Sequence, residues 1–265
     1  MSLARAGRHD ASVTRISTAP IKGLALRSRE CVELAAGGVA DDRRFYLIDA
    51  KGRMVNGKQL GSLTAVVGDY DARAGELSLR FPDGGTTSAR VELGASVETR
   101  FYSRPRAARL VNGPWAKALS AHAGQELRLV QPEAGATAVD RGVRGGVSLM
   151  SSASLARLEQ TAASAVDARR FRMLIEIDGV DAHAEDDWIG SHVRIGEALV
   201  LMRGHVGRCL VTSRDPDSGV IDLPTLDLLR SYRESSATTE PLAFGIYGEV
   251  ISAGRVALGD RAAPV

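Results

Sequence analysis

HVGRCLVTSRDPDSGVIDL, residues 205–223, sets the pattern by which the rest of the chain reads. Asp215-Pro216-Asp217-Ser218-Gly219 is turn chemistry: proline presets φ, glycine is free to take φ > 0, and short polar side chains bond back to the backbone. The flanking runs CLVTS and VIDL are apolar and β-branched, so the segment is expected to be a hairpin with Cys209 on its first arm. Gly204 and Gly207 lie just ahead of it, removing side-chain bulk where a ligand could approach the backbone.

Moving outward, the same alternation of short apolar runs and turn signals recurs. VTRIST, ECVEL, FYLID, LTAVVGDY, ELSLRF and RVELG are divided by Gly37-Gly38, Lys51-Gly52, Ala74-Gly75 and Asp83-Gly84-Gly85. Strands spaced by about 8–12 residues argue for an antiparallel sheet or small barrel. RFRMLIEIDG, HVRIGEALVLMRGH and FGIYGEVISAGRVALGD continue the strand-like pattern toward the C-terminus.

Three stretches read as helices. PWAKALSAHAG is stopped by Gly124. SSASLARLEQTAASA is capped by Ser151, Ser152 or Ser154, with Leu155 and Leu158 facing inward. PTLDLLRSYR carries Pro224 in its first turn, where a missing N–H costs little. The first ten residues are expected to fray, and QPEAGATAVDRGVRGG reads as a connecting loop. The expected fold class is mainly β (α+β). A small β-barrel or antiparallel sheet unit covers residues 11–125, and a second β-rich unit with two or three helices covers 126–265.

Composition narrows the function. The chain has 265 residues, 44% hydrophobic and 25% charged, enough to bury a core unaided. A net charge of +2 gives no reason to expect nucleic acid as a partner, and no apolar run is long enough for a membrane span. Cys31 and Cys209 make no disulfide framework, so a reducing cytoplasm is expected. Two thiols are also too few for an iron–sulfur cluster, which needs about four.

From the residues alone, Cys209 has two readings. Arg208 beside it favours a thiolate, a soft metal ligand or sulfur carrier. A free cysteine also commonly packs as a small hydrophobe. His183 with Glu185, Asp186 and Asp187 looks like a metal cluster but reads better as a polar turn, and its H-x-E lacks the downstream P-C-x-x-C of zinc deaminases. His205 lies four residues before Cys209, but the intervening glycines break strand register, so a Cys–His pair is not expected. No Walker A motif or G-x-S-x-G elbow occurs, and GVRGG does not match a dinucleotide fingerprint.

GRCLVTSRDPDSGVIDLPTLDLLRSYR resembles the cysteine segment of MOSC domains, shared with the mitochondrial amidoxime-reducing components. Further matches follow in order. PIKGL at 20–24, GVADDRRFYLIDAKGRMV at 38–55 and SLTAV at 62–66 resemble the N-terminal β-barrel domain that accompanies MOSC. SLMSSASLARL at 148–158, RRFRMLIEIDG at 169–179, EDDW at 185–188, FGIYGEV at 244–250 and VALGD at 256–260 resemble MOSC itself. The resemblance spans nearly the whole chain.

It implies a β-barrel MOSC domain behind a MOSC N-terminal domain, with a molybdenum–molybdopterin cofactor between them. Cys209 is then the catalytic residue and the metal or sulfur ligand. Lys22, Gly23, Arg43, Arg172, Gly207 and Arg208 are implied around the pterin and its phosphate, where Arg forks and a Lys suit a dianion. Arg141 and Arg144 of the glycine-rich loop join this set by chemistry and position. The implied activity is reduction of N-hydroxylated or N-oxide-like small molecules, with a ferredoxin-like or flavin reductase partner as electron donor. The alternative is a cofactor-binding or sulfur-carrier protein using a Cys209 persulfide; pyridoxal phosphate binding is implied at family level only. The chain departs from reductase-type relatives at RFRML, where they tend to read RFRPN, and VNGKQ at 55–59 stands for their TQR-like stretch.

Overall fold

The computed structural model describes residues 11–133 and 137–265; the expected frayed tail and residues 134–136 of the connecting loop lie outside the described residues. The fold is mainly β. In sheet order, the strands Ile175–Asp178, Val147–Ser151, Ala243–Ser252, Ala198–Gly207, His192–Ile195, Arg261–Pro264 and Ala11–Thr18 hydrogen-bond edge to edge. Ala11–Thr18 then pairs back onto Ile175–Asp178, with Ile16 opposite Ile175, and closes a barrel of seven strands among the described residues. Closure leaves the barrel no free edge. Its interior holds Val13, Ile16, Leu149, Ile177, Val193, Val200 and Ile246, alternate residues of their strands, all buried.

The second unit is an antiparallel sheet of Glu92–Phe101, Arg104–Asn112, Arg128–Pro132, Tyr46–Ile48 and Met54–Val55, beside the three-stranded sheet Val67–Asp71, Glu76–Arg80 and Thr86–Arg90. Its core gathers Phe45, Leu47, Leu63, Leu77, Trp115 and Leu129. Trp115 is fully buried and donates its indole N–H to Leu77 O at 2.9 Å. The units are interleaved along the chain. Ala11–Thr18 is a stave of the barrel, and Arg128–Pro132 belongs to the open sheet.

The helices form at Trp115–Ala123, Ser152–Ala162 and Thr225–Arg233. The first ends at Gly124 in the left-handed region; the second is capped by Ser151, whose hydroxyl accepts from Ser154 N. Among the described residues, no helix is long and apolar enough to cross a membrane.

Several segments expected to be extended are instead coiled. Leu210–Ser213 is a 3-10 turn rather than a hairpin arm, and the turn 215–219 is flanked by a single bridge, Arg214 to Ile221. Local bonding explains it: Thr212 N and Oγ1 both donate to Cys209 O at 3.0 Å, and Asp222 N donates to Ser213 O. Likewise Gly61–Ala65 and Ala168–Phe171 are 3-10 turns preceding the strands Val67–Asp71 and Ile175–Asp178. Local hydrogen bonds compete well with strand pairing where no partner edge is at hand.

Two close glycine contacts fix the packing, one between a short strand on the barrel core and the barrel, the other between the two units. A Cβ on Gly38 would stand 2.4 Å from Gly146 O, and one on Gly219 would stand 2.1 Å from Gly61 O. Both glycines also have positive φ, so only glycine suits either position.

Candidate functional site

Between the two units lies a cleft whose walls come from both. The open-sheet side is built around the turn Ile21–Leu24, closed by Leu24 N to Ile21 O at 3.2 Å. Gly23 takes φ +96 at its third position, the geometry of a type II turn. That turn places Lys22 in the cleft, buried, with its ammonium on Asp140 Oδ1. Arg43, at φ +50, pairs with Asp42 and donates from Nη2 to Arg172 O at 2.9 Å.

The barrel side contributes Arg172 and Cys209. Arg172 ends the 3-10 turn Ala168–Phe171 at φ +54, which reverses the chain and turns its side chain into the cleft. Its Nη2 donates to Leu24 O at 2.7 Å, and among the described residues no carboxylate pairs with it. Cys209 follows the strand Ala198–Gly207, extended and exposed, at the entry to the turn Leu210–Ser213. Of the non-glycine residues with positive φ, Arg43, Tyr102 and Arg172 all line this cleft. Such strain persists where surrounding structure holds it in place.

The cleft is electrostatically positive. Among the described residues six cationic side chains and two carboxylates, Asp42 and Asp140, line it. Burial pushes Arg172 down to about 10, and the neighbouring Arg43 guanidinium adds to the effect. Lys22 is lowered by burial and by Arg43 and Arg172, against the pull of Asp140. Cations whose charge is disfavoured by burial and by one another gain from an incoming anion. The donor set therefore fits a phosphorylated ligand, and an exposed thiol beside it fits a soft metal.

The other expected residues divide. Arg208 lines the cleft, but its guanidinium is committed to protein: Nε donates to Phe244 O at 2.9 Å, Nη1 to Phe171 O at 2.8 Å, and Nη2 to Met173 Sδ at 3.0 Å. Burial, then Arg141, pushes it down to about 9. It braces the cleft floor. Gly207 also lines the cleft, and its missing side chain makes room for the segment behind it, since a Cβ would lie 2.7 Å from Glu240 Oε2. Arg144 does not reach the site: Gly145 and Gly146 face inward from the 3-10 turn Gly142–Gly145, and Arg144 is exposed outside the cleft. Arg141 does line it, held by Glu240 at 2.7 Å and lying 4.4 Å over the Tyr247 ring.

His205 turns away from Cys209. Its Nδ1 accepts from Thr239 N at 3.0 Å and its Nε2 is 3.5 Å from Asp186 Oδ1. His183 and the EDDW run form a 3-10 turn over Ala184–Trp188, with Glu185 buried against Ser151 N and Ser154 Oγ. Met173 and Leu174 of RFRML are buried in the cleft wall, and Met173 sulfur serves as an acceptor for Arg208. Asn56 and Gly57 of VNGKQ, and Thr64 of SLTAV, also line the cleft.

Two cleft residues escaped sequence reasoning, Tyr102 and Asp140. Tyr102 sits in a two-residue hairpin loop, with Phe101 paired to Arg104, lacking the Gly, Asn or Asp that usually marks such loops. Asp140 lies in the glycine-rich connecting stretch, where a lone aspartate carries no motif.

The chain is similar to several known proteins. The profile of the MOSC N-terminal beta barrel domain matches residues 10–111, and that of the MOSC domain matches residues 136–263. Mitochondrial amidoxime-reducing component 1 of Danio rerio is 27% identical over 282 residues, covering 94% of this chain and 83% of that protein. The human mitochondrial amidoxime-reducing component 1 is 34% identical over 118 residues, 42% of this chain; the match spans about a third (34%) of the human protein's length. Among solved structures, the YUAD protein from Bacillus subtilis aligns over 96% of this chain and 94% of that one, at 11% identity and a TM-score of 0.44. With both profiles matched in order across most of its length, the chain belongs to the MOSC family, as a MOSC domain preceded by its N-terminal β-barrel partner.

Proposed function

We propose that this protein is a molybdopterin-dependent oxidoreductase that removes oxygen from N-hydroxylated or N-oxide-like small molecules. The carrying observation is the meeting, in one cleft, of the exposed Cys209 thiol and an Arg172 guanidinium that no described carboxylate pairs. Cys209 is the metal ligand in this reading. Arg172 holds the pterin's phosphate, because it faces the cleft with no described carboxylate pairing its guanidinium, and Lys22, ion-paired to Asp140, lines the same cleft. Arg43 fixes the Arg172 backbone through its carbonyl, and Arg208 braces the floor by tying Phe171 to Phe244.

When bound, the molybdenum centre supplies two-electron oxygen-atom chemistry, while the protein contributes binding, orientation and electrostatics. The names of the relatives support the substrate class. Electrons come from a separate ferredoxin-like or flavin reductase protein, since two cysteines are too few for a cluster of the chain's own. The test is molybdenum content by elemental mass spectrometry on protein made in a cofactor-competent host, wild type beside Cys209→Ser. Near-stoichiometric metal, lost in the variant, is expected, together with turnover of an aryl amidoxime that Cys209→Ala abolishes. Metal binding or turnover that survives these changes overturns the assignment of Cys209.

A second reading follows from the exposure of the thiol: Cys209 carries sulfur as a persulfide, and the cleft holds or hands over the cofactor without turnover. A reducible one-sulfur mass adduct on Cys209, in protein without reductase activity, would favour it.

A further inference from the structure

Asp140 receives two hydrogen bonds, and both fall on the same oxygen. Lys22 Nζ and the Tyr102 hydroxyl, the latter at 2.9 Å, donate to Oδ1. Oδ2 accepts no hydrogen bond among the described residues. The Tyr102 proton is spent on Asp140, so its oxygen presents only lone pairs outward. Tyr102, Asp140 and Cys209 line the same cleft, where the Tyr102 residue keeps 54% exposure. Against desolvation, the Lys22 ammonium and the Tyr102 hydroxyl hold Asp140 low, so it is a carboxylate at neutral pH, and its side chain keeps 45% exposure. In a cleft lined by six cationic side chains, this is a patch of acceptors.

The backbone supports a role for the Tyr102 side chain. Tyr102 has φ +55 at the first position of its two-residue loop, where glycine or asparagine costs least. Phe101 beside it is anchored, buried at 3% exposure with the Arg106 guanidinium 4.0 Å over its ring. A residue kept in a disfavoured conformation on an anchored hairpin tip, with its hydroxyl in the cleft, is held for what that hydroxyl does.

We infer that Tyr102 and Asp140 form a substrate-positioning pair that accepts hydrogen bonds from the N–H and O–H donors of an N-hydroxylated substrate beside Cys209. The inference rests on the reductase reading above and refines it. An amidoxime or hydroxylamine brings donors that the pair can accept. An N-oxide brings only an acceptor oxygen, which meets a carboxylate and a hydroxyl whose proton is already committed. A site built from acceptors rejects a ligand lacking the matching donors more strongly than it discriminates by size. The pair therefore makes the cleft selective for N-hydroxylated compounds over N-oxides.

The experiment uses holoprotein of measured molybdenum content, wild type, Tyr102→Phe and Asp140→Asn. KM and kcat are measured for an aryl amidoxime and an aryl N-oxide with one reductant, and benzamidine, a donor-bearing product mimic, is titrated by calorimetry. Both variants should raise the amidoxime KM and the benzamidine Kd at least tenfold, while the N-oxide KM moves less than twofold. Tyr102→Phe keeps the ring and removes only the oxygen, so it answers even if Asp140→Asn fails to fold. Wild-type values in Tyr102→Phe for both amidoxime KM and benzamidine Kd overturn the pairing, as do equal losses for the N-oxide. Wild-type protein that binds no molybdenum and turns over neither substrate defeats the reductase reading instead. Benzamidine binding, lost or kept in Tyr102→Phe, still decides the pairing.

Discussion

Arg170 and Arg172 stand two residues apart on one 3-10 turn and have opposite electrostatic surroundings. Arg170 is 8% exposed and grips Asp222 with two parallel bonds of 2.7 and 2.6 Å. Arg172, past the left-handed reversal, faces the cleft with a single carbonyl acceptor and no carboxylate among the described residues. Desolvating a guanidinium costs several kcal/mol unless a partner compensates it. The matched arginine is therefore part of the scaffold, and the bare one marks where a ligand's charge belongs.

Arg170 carries the largest expected effect. Arg170→Gln should lose about 2 kcal/mol of unfolding free energy, as expected for removing a hydrogen-bonded ion pair whose carboxylate can still reach water. Denaturant melts measure it, and a loss under about 0.5 kcal/mol would show that the pair is no scaffold. Arg172→Gln should behave in the reverse sense. Stability in the metal-free protein stays level or rises, while pyrophosphate affinity, read as the thermal shift it induces, falls at least about tenfold, a difference of about 1.4 kcal/mol. Equal destabilisation by both substitutions would erase the distinction.

Arg169 sharpens the scale, because it pairs with both Asp167 and Asp217 but is 38% exposed at its side chain. Arg169→Gln should cost under about 1 kcal/mol, and high salt should shrink the difference. An effect confined to acid pH concerns His183, whose two ring nitrogens are buried without partners. Burial first, then Arg233, pushes it down to about 4 from an ordinary 6.5. With the folded value below the unfolded one, the unfolded chain takes up its proton first, so stability is constant above pH 6.5 and falls as pH drops from there toward about 4. Thermal melts across that window should flatten in His183→Gln; an unchanged slope would assign the acid sensitivity to other groups.

Much of the fold was legible because it rests on local rules. Turn residues at Gly37-Gly38 and Gly84, the stop at Gly124 and the Ser151 cap all mark features that form where expected. At the cleft, Lys22, Gly23, Arg43, Arg172 and Cys209 were found by resemblance and do come together. What failed had a common cause. Leu210–Ser213 and Ala168–Phe171 carry strand-like residues but lack a free sheet edge, so local bonds coil them. Arg144 and Arg141 are indistinguishable in sequence, and only the direction of one short turn decides which reaches the cleft.

A mainly β chain and the places where it turns are legible in the residues, because periodicity, glycine and proline act within a few residues of themselves; the site residues came from the resemblance of ordered motifs. Only the tertiary contacts decided that Ala11–Thr18 closes the barrel, that Arg170 meets Asp222 while Arg172 meets no described carboxylate, and that Tyr102 and Asp140 share a cleft with Cys209. Those outcomes depend on which groups burial leaves without water, and that is set by contacts between residues far apart in the chain.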